Sequence, residues 1–238
     1  LRLPRSLPNQ ITIARLVLAA ILFVILHLIG WAERPESAAS PFAAEVLGRR
    51  SLLLNLGAAI FLLAAISDIL DGQIARRWNL TTDFGRIADP FADKVVVSGA
   101  FLFLVPIAGS GVSAWMVAVI VARESLVDGI RGFAESKGLA FPASVWGKAK
   151  MVAQSTTVTW ILLRMANFPT SELVHVVIDV AIGVTIFATL FSGLLYVFQA
   201  RKLLRRGAEG EKVESRPAAP GGAGGSETPR ATPVESAR

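Results

Sequence analysis

Four aspartates, Asp68, Asp71, Asp89 and Asp93, punctuate otherwise apolar, helix-forming sequence between Ser67 and Lys94. An aspartate at mid-membrane depth costs roughly 2.5 to 3.5 kcal/mol, so such side chains need a partner or an aqueous pocket. Asp68 and Asp71 are three apart and Asp89 and Asp93 four apart, so on helices each pair shares a face. Two consecutive helices joined by a short turn are antiparallel neighbours, which would set the pairs face to face. Close carboxylates repel by about 4 kcal/mol per pair at an effective dielectric of about 20. Protonation or bound cations relieve that repulsion. Hard oxygen donors with no histidine or cysteine nearby suit Mg2+ or Mn2+, and four carboxylates suit two such ions. Two metals in one site clamp both sides of a phosphoryl displacement.

The residues between the acids fit a diphosphate. Gly72 and Gly85 remove side chains where a bulky ligand could approach the backbone, Arg76 supplies a fork for phosphate, and Thr82 adds a hydroxyl. Further along, Arg123 and Arg131 are about 80° apart around a helix and can face one cavity, with Lys148 joining across a loop. Three cations beside a metal site suit a doubly negative acceptor. Glycerol 3-phosphate and an inositol phosphate both satisfy that description.

The elements that must carry these groups are membrane helices. Of 238 residues, 53% are hydrophobic and 18% charged, and the mean hydropathy is +0.56, more apolar than a soluble chain of this size can hide in one core. The lack of cysteine excludes disulfides, thiolate metal sites and cysteine nucleophiles. The net charge of +6, in so apolar a chain, points to anionic lipid headgroups and not to nucleic acid. Uncharged runs predict an all-α, polytopic protein with six spans, near 16–32, 51–77, 84–108, 112–135, 150–168 and 173–200, and a polar loop over 33–50. The run from Val95 to Ala122 is too long, at about 1.5 Å per residue, for a core of about 30 Å. Pro106, Gly109, Ser110 and Gly111 break it.

Arg2, Arg5, Arg76, Arg77, Arg86, Arg131, Lys137, Lys148, Arg201, Lys202, Arg205 and Arg206 fall on one side of this topology. By the positive-inside rule that side is cytoplasmic, with both termini and the acidic site facing the cytosol from the cell (inner) membrane. The catalytic membrane domain is expected over 1–206. The Gly-, Pro- and Ala-rich stretch 207–238 reads as a disordered cytoplasmic tail.

Asp68, Asp71-Gly72, Ala75-Arg76, Gly85, Asp89 and Asp93 are similar, position by position, to the signature of the CDP-alcohol phosphatidyltransferase family. The resemblance implies a six-helix membrane enzyme, often a homodimer, that moves a phosphatidyl group from a CDP-linked lipid to an alcohol with two divalent metals. By that resemblance Asp68, Asp71 and Asp89 are metal ligands and Asp93 is both ligand and base. Gly72, Ala75, Arg76, Thr82 and Gly85 are then placed at the CDP-lipid. The segment Leu7 to Arg15, which includes Asn9 and Thr12, resembles the opening of the family's phosphatidylglycerophosphate synthases and, more loosely, of its cardiolipin synthases. Arg123-Glu124, Gly129-Ile130-Arg131, Gly147-Lys148 and Gln154 resemble the same branch. Its members imply CDP-diacylglycerol as donor and glycerol 3-phosphate as acceptor. Lys150-Met151 stands where that branch has a lysine-threonine pair.

Plainer readings exist for several of these residues. Arg123, Glu124, Asp128 and Arg131 can neutralise one another at helical spacing. Asn9 and Thr12 can simply start a helix, and His27 and His175 lie away from the acids. Buried acids also occur in ion- or proton-coupled transporters, a reading under which the glycine and arginine features near Asp71 would be idle.

Overall fold

The computed structural model describes the backbone of residues 7–78, 83–137 and 145–214, and the side chains of 9–67, 88, 90–137, 147 and 149–201. Among the described residues the chain is entirely helical: α1 (Leu7–Ala32), α2 (Pro41–Gly48), α3 (Arg50–Trp78), α4 (Asp83–Leu104), α5 (Ala114–Ser136), α6 (Val145–Asn167) and α7 (Glu172–Glu214). The predicted polar loop over 33–50 instead holds a 3-10 turn, Pro35–Ser37, and α2. Both begin with proline at a first-turn position, where its fixed φ suits a helix and its missing N–H costs nothing. Asn9 and Thr12 lie inside α1, which starts well before the predicted span. At the other end α7 stays helical to Glu214, so the composition change at Gly207 falls within it. Residues 215–238 lie outside the described residues.

The six long helices alternate in direction. Arg15 meets Asp93, Phe23 stacks on Phe103 with ring centres 4.9 Å apart, and Gly30 faces Pro106, so α1 and α4 run side by side in the same sense. Glu33 bonds Arg50 while Leu22 packs at Gly57, so α3 returns along α1. Gln154 pairs with Thr189, Thr157 with Thr185 and Arg164 with His175, which makes α6 and α7 antiparallel.

Leu22, Leu26, Leu54, Phe61, Leu104, Ile161 and Ile178 fill the core. The outside is equally apolar: Leu52, Leu173 and Phe187 are 66%, 75% and 69% exposed, a surface that belongs against lipid. Three stretches, Asn9–Ala32, Arg50–Ser67 and Glu172–Arg201, are long and apolar enough to cross a membrane. α4, α5 and α6 have 22, 23 and 23 residues, and their hydropathy is lowered by charged residues that, apart from Arg164, gather toward one end.

The opposite end is tied by arginines that satisfy carbonyls in the last turn of α6 and in the turn between α4 and α5, groups without intrahelical partners. Arg50 donates to the carbonyls of Met165 and Ala108, both at 3.1 Å, and to Glu33 at 2.9 Å. Arg164 donates to the Gly109 carbonyl at 2.7 Å and also meets His175. Gly109 and Gly111, at φ 78° and 72°, make the predicted turn between α4 and α5 in the left-handed region that favours glycine. Asp179, unexplained by the sequence, lies at this turn: a Cβ on Gly111 would come within 3.4 Å of its Oδ1. His27 packs edge-on against Phe103. Both histidines are thus occupied away from the acids.

Candidate active site

Asp93 leaves α4 where four other helices approach. From α1, Arg15 donates through Nη1 to Asp93 Oδ1 at 2.7 Å, and the Arg15 side chain is 1% exposed. Its neighbour Lys94 pairs with Asp128 of α5. On α5, Arg123 Nη1 lies 3.3 Å from Glu124 Oε1, and Lys150 of α6 pairs with the same oxygen. Glu124 therefore neutralises two cations brought in by different helices. Arg131, two turns beyond Arg123, donates to the Tyr196 hydroxyl of α7 at 2.8 Å.

All of these side chains except Arg15 line a cavity of about 280 Å³ between α4, α5, α6 and α7, with Gln154 closing one wall. Arg123 leaves Nε and Nη2, and Arg131 leaves Nε, buried without a hydrogen-bond partner. Buried donors are ordinarily satisfied, and guanidinium donors held this way suit a phosphate or carboxylate oxygen. Across Asp93, Val97 and Met151, which belong to both walls, lies a second cavity of about 470 Å³ lined by Phe61, Leu62, Val152 and Trp160. One carboxylate thus stands between a cationic chamber and an apolar groove.

The sequence profile of the CDP-alcohol phosphatidyltransferase family matches residues 5–191. The chain belongs to that family. It is 36% identical over 192 residues to a protein of Bacillus subtilis (strain 168) named CDP-diacylglycerol–glycerol-3-phosphate 3-phosphatidyltransferase, covering 80% of this chain and 93% of the relative. A protein of the same name from Mycoplasma pneumoniae is 36% identical over 171 residues, 69% of this chain and 68% of the relative. Another from Rickettsia felis is 28% identical over 204 residues, 85% and 99%. The chain is a phosphatidyltransferase of phospholipid biosynthesis, and its apolar helices make it a multi-pass membrane protein. A transferase family shared by all these relatives leaves the transporter reading without support.

CDP-alcohol phosphatidyltransferases use divalent metal ions. The four aspartates that the family resemblance marks as ligands are of the chemical kind such ions take. Asp68 and Asp71 lie on α3 and Asp89 and Asp93 on α4, four hard carboxylates with neither imidazole nor thiolate among them. Among the residues whose side chains are described, no three acidic or histidine side chains gather as a metal site, and of the four only Asp93 belongs to that set.

The other predicted contacts divide between the described and the undescribed. Gly72, Ala75 and Arg76 belong to α3 and Gly85 to α4, without described side chains, and Thr82 lies outside the described residues. Thr12 is buried and Asn9 lies in the first turns of α1. Arg123 and Arg131 come together as expected. Lys148 belongs to the first turn of α6 and its side chain is not described; Lys150 reaches the cavity. The expected mutual neutralisation on α5 is partial: Arg123 meets Glu124, but Asp128 turns to Lys94 and Arg131 to Tyr196. Arg15, Lys94, Lys150 and Tyr196 were not predicted. Arg15 was visible as a cation at the edge of an apolar segment, and Lys150 as the second lysine of Lys148-Ala149-Lys150. Tyr196 had no such signal.

Proposed function

We propose that the protein transfers a phosphatidyl group from CDP-diacylglycerol to sn-glycerol 3-phosphate, giving phosphatidylglycerol phosphate and CMP. The observation that carries this reading is the pair of chambers meeting at Asp93: buried, unsatisfied arginine donors on one side and an apolar groove on the other. The relatives named above carry the same donor and acceptor in their names.

In this mechanism the acceptor phosphate binds Arg123 and Arg131, with Lys148 as a third cation, and Lys150 tempers Glu124 beside them. The acceptor hydroxyl attacks the lipid-side phosphorus of the diphosphate, a new P–O bond forms, and the bond to the CMP oxygen breaks. Asp93, held in place by Arg15, accepts the hydroxyl proton. Gly72, Ala75, Arg76, Thr82, Gly85, Asn9 and Thr12 are assigned to the CDP-lipid, whose acyl chains suit the groove beside Phe61 and Trp160. Two Mg2+ or Mn2+ ions on Asp68, Asp71, Asp89 and Asp93 would neutralise the diphosphate and stabilise the departing CMP.

The six long helices are taken as six membrane spans, with residues 1–206 as the catalytic domain and the stretch from 207 as its tail. The alternating helix directions support this. Lysines and arginines crowd the end of the bundle that carries Asp93, whereas the opposite end balances Arg34, Arg49 and Arg50 with Glu33, Glu36 and Glu45. That bias supports a site and both termini on the cytoplasmic side of the cell (inner) membrane. Pairing into a homodimer rests on the family resemblance.

The test is CMP release from radiolabelled CDP-diacylglycerol with glycerol 3-phosphate, inositol phosphate or phosphatidylglycerol as acceptor. Product with glycerol 3-phosphate is expected. Product with only the other two would replace this acceptor.

A further inference from the structure

Tyr196 is the single tyrosine of the chain and lies beyond residues 5–191, the span matched by the family profile. It is 1% exposed, although Leu194 and Phe198 on the same helix are 54% and 56% exposed. Its ring is shared by two cations. The Arg123 guanidinium carbon lies 5.3 Å from the ring centre and that of Arg131 5.4 Å. Arg131 Nη2 also donates to the hydroxyl at 2.8 Å. One aromatic side chain therefore holds two groups that would repel each other and, being long and flexible, would otherwise scatter.

The backbone of α7 is shaped for this grip. One turn before Tyr196 is Gly193, where a Cβ would come within 3.1 Å of Arg123 Cγ, so the arginine stem lies directly on the helix. The rotation of α7 that turns Gly193 and Tyr196 inward is fixed by a buried polar seam. Gln154 donates to Thr189 at 3.3 Å, and the Thr157 and Thr185 hydroxyls meet at 2.8 Å. Such interhelical hydrogen bonds set register where lipid gives no hydrophobic preference. Of the donors in the grip, the Tyr196 hydroxyl takes one from Arg131, while Arg123 Nε and Nη2 and Arg131 Nε stay buried and unsatisfied.

We infer that Tyr196 is a positioning residue for acceptor binding: its ring and hydroxyl hold Arg123 and Arg131 as a preorganised fork whose remaining donors take the phosphate of the acceptor. This rests on the assignment of those two arginines to the acceptor phosphate. Preorganisation of this kind acts on affinity, because the ordering cost is met before the ligand arrives.

The experiment is steady-state CMP release by the full-length protein in mixed micelles, varying each substrate separately, for Tyr196→Phe and Tyr196→Leu, with thermal unfolding as a check on folding. Tyr196→Phe keeps the ring and should raise KM for glycerol 3-phosphate about tenfold, the lower end of the loss expected for a hydrogen bond to a charged group. Tyr196→Leu should raise it about 30-fold or more, because the cation–π contacts go as well. In both, kcat and KM for CDP-diacylglycerol should stay as in the parent. An unchanged acceptor KM in Tyr196→Phe overturns the inference, as does a loss confined to kcat or spread equally over both substrates. Should Tyr196→Leu fail to fold, Tyr196→Phe carries the test alone. Arg123→Gln and Arg131→Gln separate the two levels. If neither raises the acceptor KM, the acceptor site itself is misassigned and the inference falls with it; if they do and Tyr196→Phe does not, Tyr196 alone is excluded.

Discussion

Arg15 and Asp93, 78 residues apart in sequence, form an ion pair at 2.7 Å that joins α1 to α4 at the reactive end of the bundle. The arginine is buried, and its removal takes away the charge and the hydrogen bond that hold the Asp93 carboxylate in this rotamer. Removing a residue that orients a metal-ligating carboxylate typically costs about 10- to 100-fold in activity, so Arg15→Gln should lower kcat by about that factor. Arg15→Lys keeps the charge but not the fork and should recover part of the rate. CMP release at saturating substrates is the readout, and a parental rate in Arg15→Gln would sever Arg15 from the chemistry.

Chelation should abolish turnover, and Mg2+ or Mn2+ should restore it. Asp68→Asn, Asp71→Asn, Asp89→Asn and Asp93→Asn should each lose at least about a hundredfold in kcat, since cation stabilisation of a phosphoryl oxygen is worth several kcal/mol. A variant that keeps its rate and its cation dependence would remove that aspartate from the ligand set.

Glu124 stands between Arg123 and Lys150 with a side chain 14% exposed, and Lys150 is 8% exposed. Breaking a buried pair from one side costs about 3 to 5 kcal/mol, whereas replacing both partners by apolar groups is often neutral. Lys150→Met leaves Glu124 its Arg123 partner and should lower the thermal midpoint less than Glu124→Leu, which strands Arg123 and Lys150 together, while Glu124→Leu/Lys150→Met still strands Arg123 and should recover only part of the Glu124→Leu loss. The double-mutant cycle measures the coupling. Additive effects would show that the two charges do not depend on each other.

The helical class and most breaks were legible because they rest on local rules: apolar run length, Pro106 with Gly109 and Gly111, and prolines at helix starts. The loop over 33–50 was misjudged, since its polar composition hid an eight-residue helix, α2, that buries only Ala43 and Val46. The spacing of the acids could be read along single helices, and α3 and α4 carry the two pairs. What was not legible is what crosses between helices. Arg15 reaches Asp93, Lys94 reaches Asp128, and Tyr196 reaches Arg131 over separations of 78, 34 and 65 residues, and no periodicity within one helix encodes such pairings. Lys150 shows the same limit: it was noticed as the lysine of a pattern from which Met151 departs, but its partner Glu124 lies on another helix.

The last prediction concerns how the helices hold Arg15 at its distance. Gly99 of α4 faces Phe23 of α1 so closely that a Cβ would sit 2.2 Å from the ring's Cζ. The ring has little room to yield, because it is stacked on Phe103 at an interplanar angle of 17°. Gly99→Ala must therefore push α1 away from α4, an overpacking cost of about 1 to 3 kcal/mol. Gly99 lies about 9 Å along α4 from Asp93, at about 1.5 Å per residue, so the same displacement stretches the Arg15–Asp93 contact. Gly99→Ala should lower both the thermal midpoint and kcat, and a second change, Phe23→Leu, should restore both by clearing the space. Gly183→Ala, on α7 with nothing within 4 Å of the added Cβ, should leave turnover unchanged and keep or slightly raise stability. If Gly99→Ala lowered the midpoint but left kcat at the parental value, the spacing of α1 and α4 would be shown to matter for folding and not for the placement of Arg15.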